Sequence, residues 1–361
     1  MASQEATPES KMPEVQKGEK GIVGLRNLGN TCYASAAIQA LRNVSELTYL
    51  CLMDNSALIK RHENHSGILF DSYKDLIKTM WSAHKPAYVS ADAFWRDVLL
   101  AARKSGYDYF GTREQQDSHE FLMFLLDQLL EGTKHPVNFV IQRPPPTNSR
   151  EKRVQAALES WKMNFEKQYT PIVDIMFGLL EYETECMSCN SKTYRYETFN
   201  TLKVSMPASI GTEKPPTLNE MIREDWKDEE IQDFDCETCR PKRTTVKRRV
   251  KIWRMPRCFI LLLKRFLPDG RKIHTPWLLE DGPLLMTEHF SEATTEKSKT
   301  FKYSLQSVVD HHGSARGGHY TAQALSPLDG KWYFYDDESV GNLEKPMIGP
   351  SNYILIFRAT D

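Results

Sequence analysis

The sequence lacks both a long hydrophobic run and an excess of charge of one sign. The longest uninterrupted apolar stretches, such as Cys258 to Leu263, are far shorter than the roughly 20 residues that a helix needs to cross a bilayer. Its 47 lysines and arginines nearly balance 48 aspartates and glutamates, which gives no general electrostatic reason to expect a nucleic-acid partner. Residues 1–20 contain no apolar core, so we expect a disordered, solvated tail and not a signal peptide.

Cysteine is also scarce, with 7 in 361 residues. An odd number of cysteines and no export signal favour a reducing compartment, either cytoplasmic or nuclear or both, and make disulfides less expected than thiol chemistry or metal binding. Four of the seven form two C-x-x-C pairs, Cys186 with Cys189 and Cys236 with Cys239. Cys51 and Cys258 lie in apolar surroundings and are expected in the core.

The periodicity of apolar residues changes along the chain. Helical patterns begin at Cys32 and again at about Gln115 to Leu130, whereas from Ile172 onward alternating and β-branched segments predict strands. Between them, the segment RPPPTNSREKR is predicted to be an exposed loop. Helices first and mostly antiparallel strands later indicate an α+β fold.

Cys32 is a candidate nucleophile. The turn-rich segment with Gly24, Asn27, Gly29 and Asn30 leads directly into the helix that Cys32 begins. A helix N-terminus favours the thiolate, so we expect a lowered pKa for Cys32. Asn27 is placed to donate its amide to an oxyanion. A small buried structural cysteine is the alternative, at about even weight on this segment alone.

A cysteine nucleophile needs a base, and the base needs an orienting group. His319 follows Gly317 and Gly318 and begins a predicted strand, while Asp336 and Asp337 end the next one. Neighbouring antiparallel strands would bring His319 against a carboxylate. The alternative is a hairpin rim with a hydrogen-bonded histidine and two solvated acids.

The two C-x-x-C pairs, Cys186, Cys189, Cys236 and Cys239, suit tetrahedral zinc. Since four thiolates fill all positions, the metal would be structural and not catalytic. A redox C-x-x-C is disfavoured by the second pair and by the strand context. The basic run KRTTVKRRVKIWR, near the second pair, is interpreted as a strand with one wet cationic face and not as a nucleic-acid site.

Five landmarks, taken in order along the chain, resemble those of the ubiquitin-specific proteases. GLRNLGNTCYASAAIQAL is similar to the cysteine box of that family, and GSARGGHYTAQAL with WYFYDDESV and YILIFR is similar to its histidine box. Between them stand REQQDSHEFLMFLLDQLL, FGLLEYETECMSCNSKTYRYETF and CFILLLKRF. The resemblance covers about residues 21–358 and implies a papain-like α+β fold, with a thumb (about 21–135), fingers (about 175–265) and a palm (about 136–174 and 266–358).

The resemblance implies hydrolysis of the peptide or isopeptide bond after the C-terminal Gly-Gly of ubiquitin. Cys32 then matches the nucleophile, His319 the base, Asp336 the orienting acid and Asn27 the oxyanion-hole residue, with Asp337 beside the triad acid. Ubiquitin and ubiquitinated proteins become the expected partners, and an activating protein partner is compatible. The four-cysteine zinc site would lie at the fingertips.

The same resemblance assigns Gln115 and Asp117 to the extended ubiquitin tail, with Gly317 and Gly318 forming a low wall of its channel. The alternative for Asp117 is a capping box with Glu120 at the start of the central helix. The sequence departs from the family pattern at Ala34 and Ser35, which concerns packing behind the nucleophile.

Two other functions remain open at this stage. One is a catalytically silent ubiquitin-binding scaffold, which the joint presence of Asn27, Cys32, His319 and Asp336 disfavours. The other is a protease for a different ubiquitin-like modifier.

Overall fold

A computed structural model describes residues 21–53, 59–82, 88–112, 114–208, 214–296, 301–314 and 317–360. The tail expected over residues 1–20 lies outside the described residues. None of the helices in the described part of the chain combines the length and the apolar character that a membrane crossing requires.

The first third of the chain is helical, and the remainder is mostly strand. The helices are α1 (Cys32–Leu41), α2 (Ser45–Leu52), α3 (His65–Met80), α4 (Asp92–Lys104), α5 (Ser118–Glu131), α6 (Ser149–Phe165), α7 (Pro171–Met176) and α8 (Leu218–Asp225). The strands are β1 (Gly24–Leu25), β2 (Tyr88–Val89), β3 (Gly178–Cys186), β4 (Lys192–Phe199), β5 (Thr201–Ser205), β6 (Glu229–Phe234), β7 (Thr244–Arg254), β8 (Cys258–Lys264), β9 (Leu284–Leu285), β10 (Lys302–Ser314), β11 (Gly317–Leu325), β12 (Trp332–Asp336), β13 (Ser339–Leu343) and β14 (Asn352–Ala359).

The strands form two large sheets. One has the order β13-β12-β11-β10-β14-β8-β5, with β9 paired to β10. All of its pairs are antiparallel except β5 with β8. The other sheet has the order β4-β3-β7-β6 and is antiparallel throughout. The predicted α+β class is therefore confirmed.

The main core lies between the helices and one face of the larger sheet. Helix α5 is apolar nearly all round, as its sequence predicts, and residues such as Phe121 and Leu125 are fully buried. The alanines of α1, including Ala37 and Ala40, are also fully buried and let this helix pack directly against β10 and β11. The same core contains Tyr320 and Tyr335 from the sheet.

The interpretation of RPPPTNSREKR as a loop is wrong in its second half. Asn148 caps α6 by accepting a hydrogen bond from the Glu151 amide at 2.9 Å. The Glu151 carboxylate bonds back to Thr147, whose amide donates to it at 2.7 Å. A capping residue followed three positions later by Glu is a helix-start signal, and the prolines that precede it mark only the end of the loop.

A buried ion pair holds α6 against the smaller sheet. Arg153 of α6 donates to Glu181 of β3 through Nη2 at 2.5 Å and through Nε at 3.2 Å. Glu181 is only 1% exposed and also accepts hydrogen bonds from the hydroxyls of Tyr196 and Ser291. Every oxygen of this buried carboxylate is therefore compensated, as burial of a charge requires.

We expect Glu181→Ala to lower the free energy of unfolding by about 3–5 kcal/mol, because it leaves the largely buried Arg153 guanidinium unpaired. Urea denaturation measures the change. The matched control is Asp71→Ala, which breaks the exposed pair with Arg61 and should cost about 0–1 kcal/mol. Equal losses in the two variants would contradict the structural role of the buried pair.

Candidate active site and metal centre

A tight turn places Cys32 at the first residue of α1. The side-chain oxygen of Asn27 accepts hydrogen bonds from the amides of Gly29 and Thr31 at 2.9 and 3.2 Å. Asn30 adopts φ +57°, a left-handed conformation that asparagine tolerates better than most residues. The turn therefore ends with the Cys32 thiol at a helix N-terminus, as the sequence predicts.

The expected low pKa of Cys32 is wrong. The thiol receives hydrogen bonds from backbone amides, those of Tyr320, Tyr33 and Cys32 itself, and these favour the thiolate. Cys32 is however only 2% exposed, and burial outweighs the amides and raises its pKa above the ordinary value. The negative charge of Asp337 adds to this effect. The resting group is a neutral thiol.

His319 stands next to Tyr320 on β11 and is oriented by Asp336. Its Nε2 lies 2.6 Å from Asp336 Oδ1. Both side chains are about half exposed, at 43% and 45%, so they line an accessible surface. Because Nε2 faces the carboxylate, Nδ1 is the nitrogen left to accept a proton.

Asp337 has different partners from Asp336. Its Oδ2 accepts a hydrogen bond from the Asn27 side-chain amide at 2.8 Å, and its backbone oxygen accepts one from the Leu25 amide at 2.8 Å. Its Oδ1 is buried without a hydrogen-bond partner among the residues described, and burial raises the pKa of this carboxyl group. The two neighbouring acids thus have different hydrogen-bond partners. Asp336 binds His319, and Asp337 binds Asn27 in the cysteine loop, by which we mean the turn of residues 27–31 that precedes α1.

The β12–β13 turn rests on the strand that leads to the cysteine loop. A Cβ added to Gly24 would lie 2.2 Å from the backbone oxygen of Glu338, a distance that no side chain can occupy. The Glu338 carboxylate accepts a hydrogen bond from the Asn27 amide at 3.2 Å. Glu338 escaped the sequence analysis, although it directly follows the two candidate acids.

Gln115 joins the helical part to the β10–β11 hairpin. Its side-chain oxygen accepts a hydrogen bond from the Gly318 amide at 2.6 Å. A Cβ at Gly317 would lie 2.9 Å from that oxygen, and one at Gly318 would lie 2.2 Å from the backbone oxygen of His312. Gly318 therefore requires glycine, because its contact is with backbone, whereas at Gly317 the Gln115 side chain can move and the positive φ of +155° is what disfavours a side chain.

Asp117 is an N-cap but not part of a capping box. One oxygen accepts from the Glu120 amide at 2.9 Å, and the other accepts from the hydroxyl of Tyr353 on β14 at 2.7 Å. The Glu120 side chain does not return to the cap; it accepts a hydrogen bond from Tyr109 instead. The expected box is thus half right. Tyr353 was missed because its partner lies 236 positions away in the chain.

The four C-x-x-C cysteines converge at the far end of the smaller sheet. Their sulfur atoms all lie within 4.8 Å of one another, and two of the S–S distances, Cys186 to Cys239 and Cys189 to Cys236, are 3.8 Å. A tetrahedron with Zn–S bonds of about 2.3 Å has edges of about 3.8 Å, whereas a disulfide is about 2.05 Å long. The predicted four-cysteine zinc site is confirmed at the level of geometry.

The surroundings of the four sulfurs also suit a cation. The hydroxyls of Thr244 and Ser191 lie 3.4 Å from Cys186 Sγ and 3.1 Å from Cys189 Sγ. The Thr244 hydrogen bond is the main cause that lowers the pKa of Cys186 to about 6, whereas the neighbouring thiols raise that of Cys239 to about 12. A bound divalent cation is what allows four adjacent thiols to ionise together.

The basic run forms β7, and its charges are largely paired. Arg249 binds Glu183, Glu185 and Asp228 at 2.5, 2.6 and 3.1 Å. Lys247 pairs with Asp228 at 2.7 Å. The face expected to be wet and cationic is therefore neutralised at these positions.

The raised pKa of Cys32 has a kinetic consequence. Alkylation of this thiol by iodoacetamide, followed by peptide mass spectrometry, should show an inflection at a higher pH than that of an ordinary exposed thiol, because only the thiolate reacts. His319→Ala should leave the inflection in place, since the resting thiol is neutral. An inflection below that of an ordinary thiol, lost in His319→Ala, would instead indicate a resting thiolate–imidazolium pair.

We expect metal analysis of the purified chain to return about one zinc per molecule, because structural sites have a single tetrahedral ion. Cys236→Ser should lower both the zinc content and the yield of folded protein, since metal binding supplies folding free energy. Thr238→Ala, at an exposed residue within the same C-x-x-C segment as Cys236, is the matched control and should change neither. Folded protein that contains no zinc would contradict the assignment.

The chain is similar to known proteins over nearly its whole length. The family model described as ubiquitin carboxyl-terminal hydrolase matches residues 23–357. The chain is 30% identical over 353 residues to ubiquitin carboxyl-terminal hydrolase 2 of Bos taurus, covering 94% of this chain and 55% of that protein. It is 28% identical over 359 residues to ubiquitin carboxyl-terminal hydrolase 21 of Homo sapiens, covering 94% of this chain and 61% of that protein. The chain thus spans little more than half the length of these relatives.

Among solved structures, the fold is similar to that of a chain in the SAGA Ubp8/Sgf11/Sus1/Sgf73 DUB module bound to ubiquitin aldehyde. The TM-score is 0.71 at 21% sequence identity, with 97% of this chain and 72% of that chain covered. The predicted papain-like fold of this protease family is therefore confirmed.

Proposed function

The chain belongs to the ubiquitin carboxyl-terminal hydrolase family, and we propose that it is a cysteine-type deubiquitinase that hydrolyses the peptide or isopeptide bond after the C-terminal Gly-Gly of ubiquitin. One observation carries the proposal. The Cys32 thiol accepts the amide of Tyr320, and the neighbouring His319 is hydrogen-bonded to Asp336. The proposed nucleophile is thus on α1 and the proposed base on β11, two elements that pack against each other.

The geometry suggests the order of proton transfers. Because the Cys32 thiol is neutral at rest, His319 Nδ1 removes its proton as the sulfur attacks the glycine carbonyl. Asp336 holds the imidazole through Nε2 and stabilises the imidazolium. His319 then protonates the departing lysine amine, and a water activated by the same imidazole hydrolyses the thioester.

Asn27 is the proposed oxyanion donor. One hydrogen of its side-chain amide is held by Asp337, so the rotamer is set and the second hydrogen remains for the oxyanion. Amides at the start of α1, including that of Cys32, supply further donors in the same region. Under this proposal Asp336 acts on the base and Asp337 acts on the oxyanion hole.

The substrate tail is proposed to enter between the Gln115 loop and the β10–β11 hairpin. Gly317 and Gly318 have no side chains and leave a low wall beside His319, which suits the close approach of a diglycine. Gln115 bonds to Gly318 at 2.6 Å, so it must exchange this bond for one to the tail. Asp117 is held by Tyr353 at the same junction and is placed to meet a basic residue of the tail.

We further propose a thumb (about 21–135) that contains helices α1 to α5, fingers (about 175–265) that contain the smaller sheet together with β5 and β8, and a palm (about 136–174 and 266–358) that contains the remaining strands of the larger sheet, with ubiquitin held between them. The structural zinc joins the β3–β4 turn to the segment between β6 and β7 and so shapes the fingertips. Ubiquitin, ubiquitinated proteins and an activating protein partner are the proposed partners, in the cytoplasm, the nucleus or both.

The test is hydrolysis of C-terminal fluorogenic ubiquitin. Cys32→Ala and His319→Ala should each reduce turnover by about 1000-fold or more, because both act in the bond-breaking step. Cys32→Ala should retain ubiquitin affinity. His312→Ala, an exposed histidine paired opposite His319 in the β10–β11 ladder, is the matched control and should remain active.

Parallel assays with SUMO and NEDD8 substrates separate the rival functions. Preferred turnover of either modifier would overturn ubiquitin as the substrate. Ubiquitin binding without hydrolysis of any of the three would instead support a silent scaffold.

A further inference from the structure

Arg42 is a fully buried cation at the C-terminal end of α1. Its Nε donates to the side-chain oxygen of Gln39 at 2.6 Å. The two terminal nitrogens, Nη1 and Nη2, are buried and have no hydrogen-bond acceptor among the described residues. A buried guanidinium left in this state is costly.

Arg265 shows that the same protein can satisfy a buried guanidinium completely. It is equally buried, and its three nitrogens donate to four backbone oxygens, those of Asn352, Ile273, Thr275 and Gly349, at 2.5 to 3.1 Å. Arg265 therefore behaves as an ordinary structural arginine. Arg42 does not.

The terminal nitrogens of Arg42 face an aromatic ring. The guanidinium carbon lies 5.0 Å from the centre of the Tyr335 ring, within the range of a cation–π contact. The groups that act on the charge of Arg42 are Tyr335, through both its ring and its hydroxyl, and Tyr73, and no carboxylate is among them. Burial lowers the pKa of Arg42, so the contact is maintained against a desolvation cost.

Arg42 and Tyr335 each lie close in the chain to an element that has a residue of the proposed catalytic site. Arg42 directly follows the helix that begins with Cys32, and Tyr335 directly precedes Asp336 on β12. Tyr335 is 2% exposed and points into the core, whereas Asp336 is half exposed and is held by His319. The buried ring and the half-exposed carboxylate therefore belong to adjacent residues of the same strand.

We propose that Arg42 is a positioning residue for the catalytic site: its guanidinium packs on Tyr335 and fixes the distance between α1 and β12, so that Asp336 meets His319 beside Cys32. This role rests on the proposed deubiquitinase function. Arg42 touches neither substrate nor the reacting atoms, so it acts only through Tyr335.

A positioning role and a purely structural role of Arg42 predict different activities for an apolar variant. Replacing a buried, unpaired charge by an apolar side chain of similar length is often neutral or stabilising. Arg42→Met should therefore keep or raise the melting temperature. If the spacing of α1 and β12 matters, the same variant loses activity, because a displacement of about 1 Å in a catalytic constellation costs up to about 100-fold in rate.

The first experiment measures kcat, KM and melting temperature for Arg42→Met, with active protein counted by a ubiquitin C-terminal electrophile. We expect kcat to fall by about 10-fold or more, KM to stay within about twofold because the ubiquitin-binding surfaces are untouched, and the melting temperature to be unchanged or higher. Tyr335→Phe, which keeps the ring, should retain activity. Tyr335→Leu should reproduce the kcat loss, and the double variant with Arg42→Met should lose no more than either alone.

Arg254→Met is the matched control. Arg254 lies over the Trp161 ring at 4.3 Å and pairs with Asp174, and Trp161 belongs to a different core cluster from Cys32 and Tyr335. Its replacement should lower the melting temperature and leave kcat unchanged. If Arg42→Met behaves like this control, or if its kcat equals that of the wild type, the positioning role is overturned.

A second readout separates this inference from the proposed function. The proton shared by His319 Nε2 and Asp336 should give a downfield NMR resonance in histidine-labelled wild-type protein. In Arg42→Met this resonance should shift or disappear, and in Arg254→Met it should not. An unchanged resonance in Arg42→Met overturns the inference even if hydrolysis is observed, whereas absent hydrolysis in the wild type overturns only the proposed function.

Discussion

The seating of the β12–β13 turn on the cysteine loop is the constraint on which the rest of the site depends. The backbone of Glu338 approaches Gly24 so closely that no side chain fits there. This approach allows the Leu25 amide to bond to the Asp337 backbone and the Asn27 amide to bond to its carboxylate. Two segments about 310 residues apart thereby form one rigid surface, and the nucleophile and its partners take their positions from it.

The same close packing decides how the nucleophile is activated. Desolvation is the largest influence on Cys32 and exceeds the helix N-terminus and the amide donors that favour a thiolate. Under the proposed mechanism, the thiol therefore becomes nucleophilic only when His319 removes its proton. Burial thus protects the sulfur from adventitious chemistry and makes reactivity depend on the alignment of His319 with Asp336, which in turn depends on how β12 sits against α1.

Metal binding has a comparable role at the other end of the molecule. The apolar cluster at the tip of the smaller sheet consists of little more than Cys186, Cys236 and Val246, too few contacts to hold a four-stranded sheet by burial alone. Metal binding by the four cysteines supplies folding free energy at this tip of the sheet. On the flanking strands, Arg249 is paired with three carboxylates, which neutralise its charge.

Local patterns in the sequence determined the helix at Cys32, the central helix α5, most strands and the four-cysteine cluster, because periodicity, turn residues and ligand spacing are properties of neighbouring residues. Helix α6 was predictable from its cap at Asn148, but the preceding prolines obscured it. Tertiary structure alone decided the high pKa of Cys32, the separate partners of Asp336 and Asp337, and the burial of Arg42 beneath Tyr335. Desolvation and contacts across hundreds of residues arise only when distant segments pack together, and no local pattern encodes them.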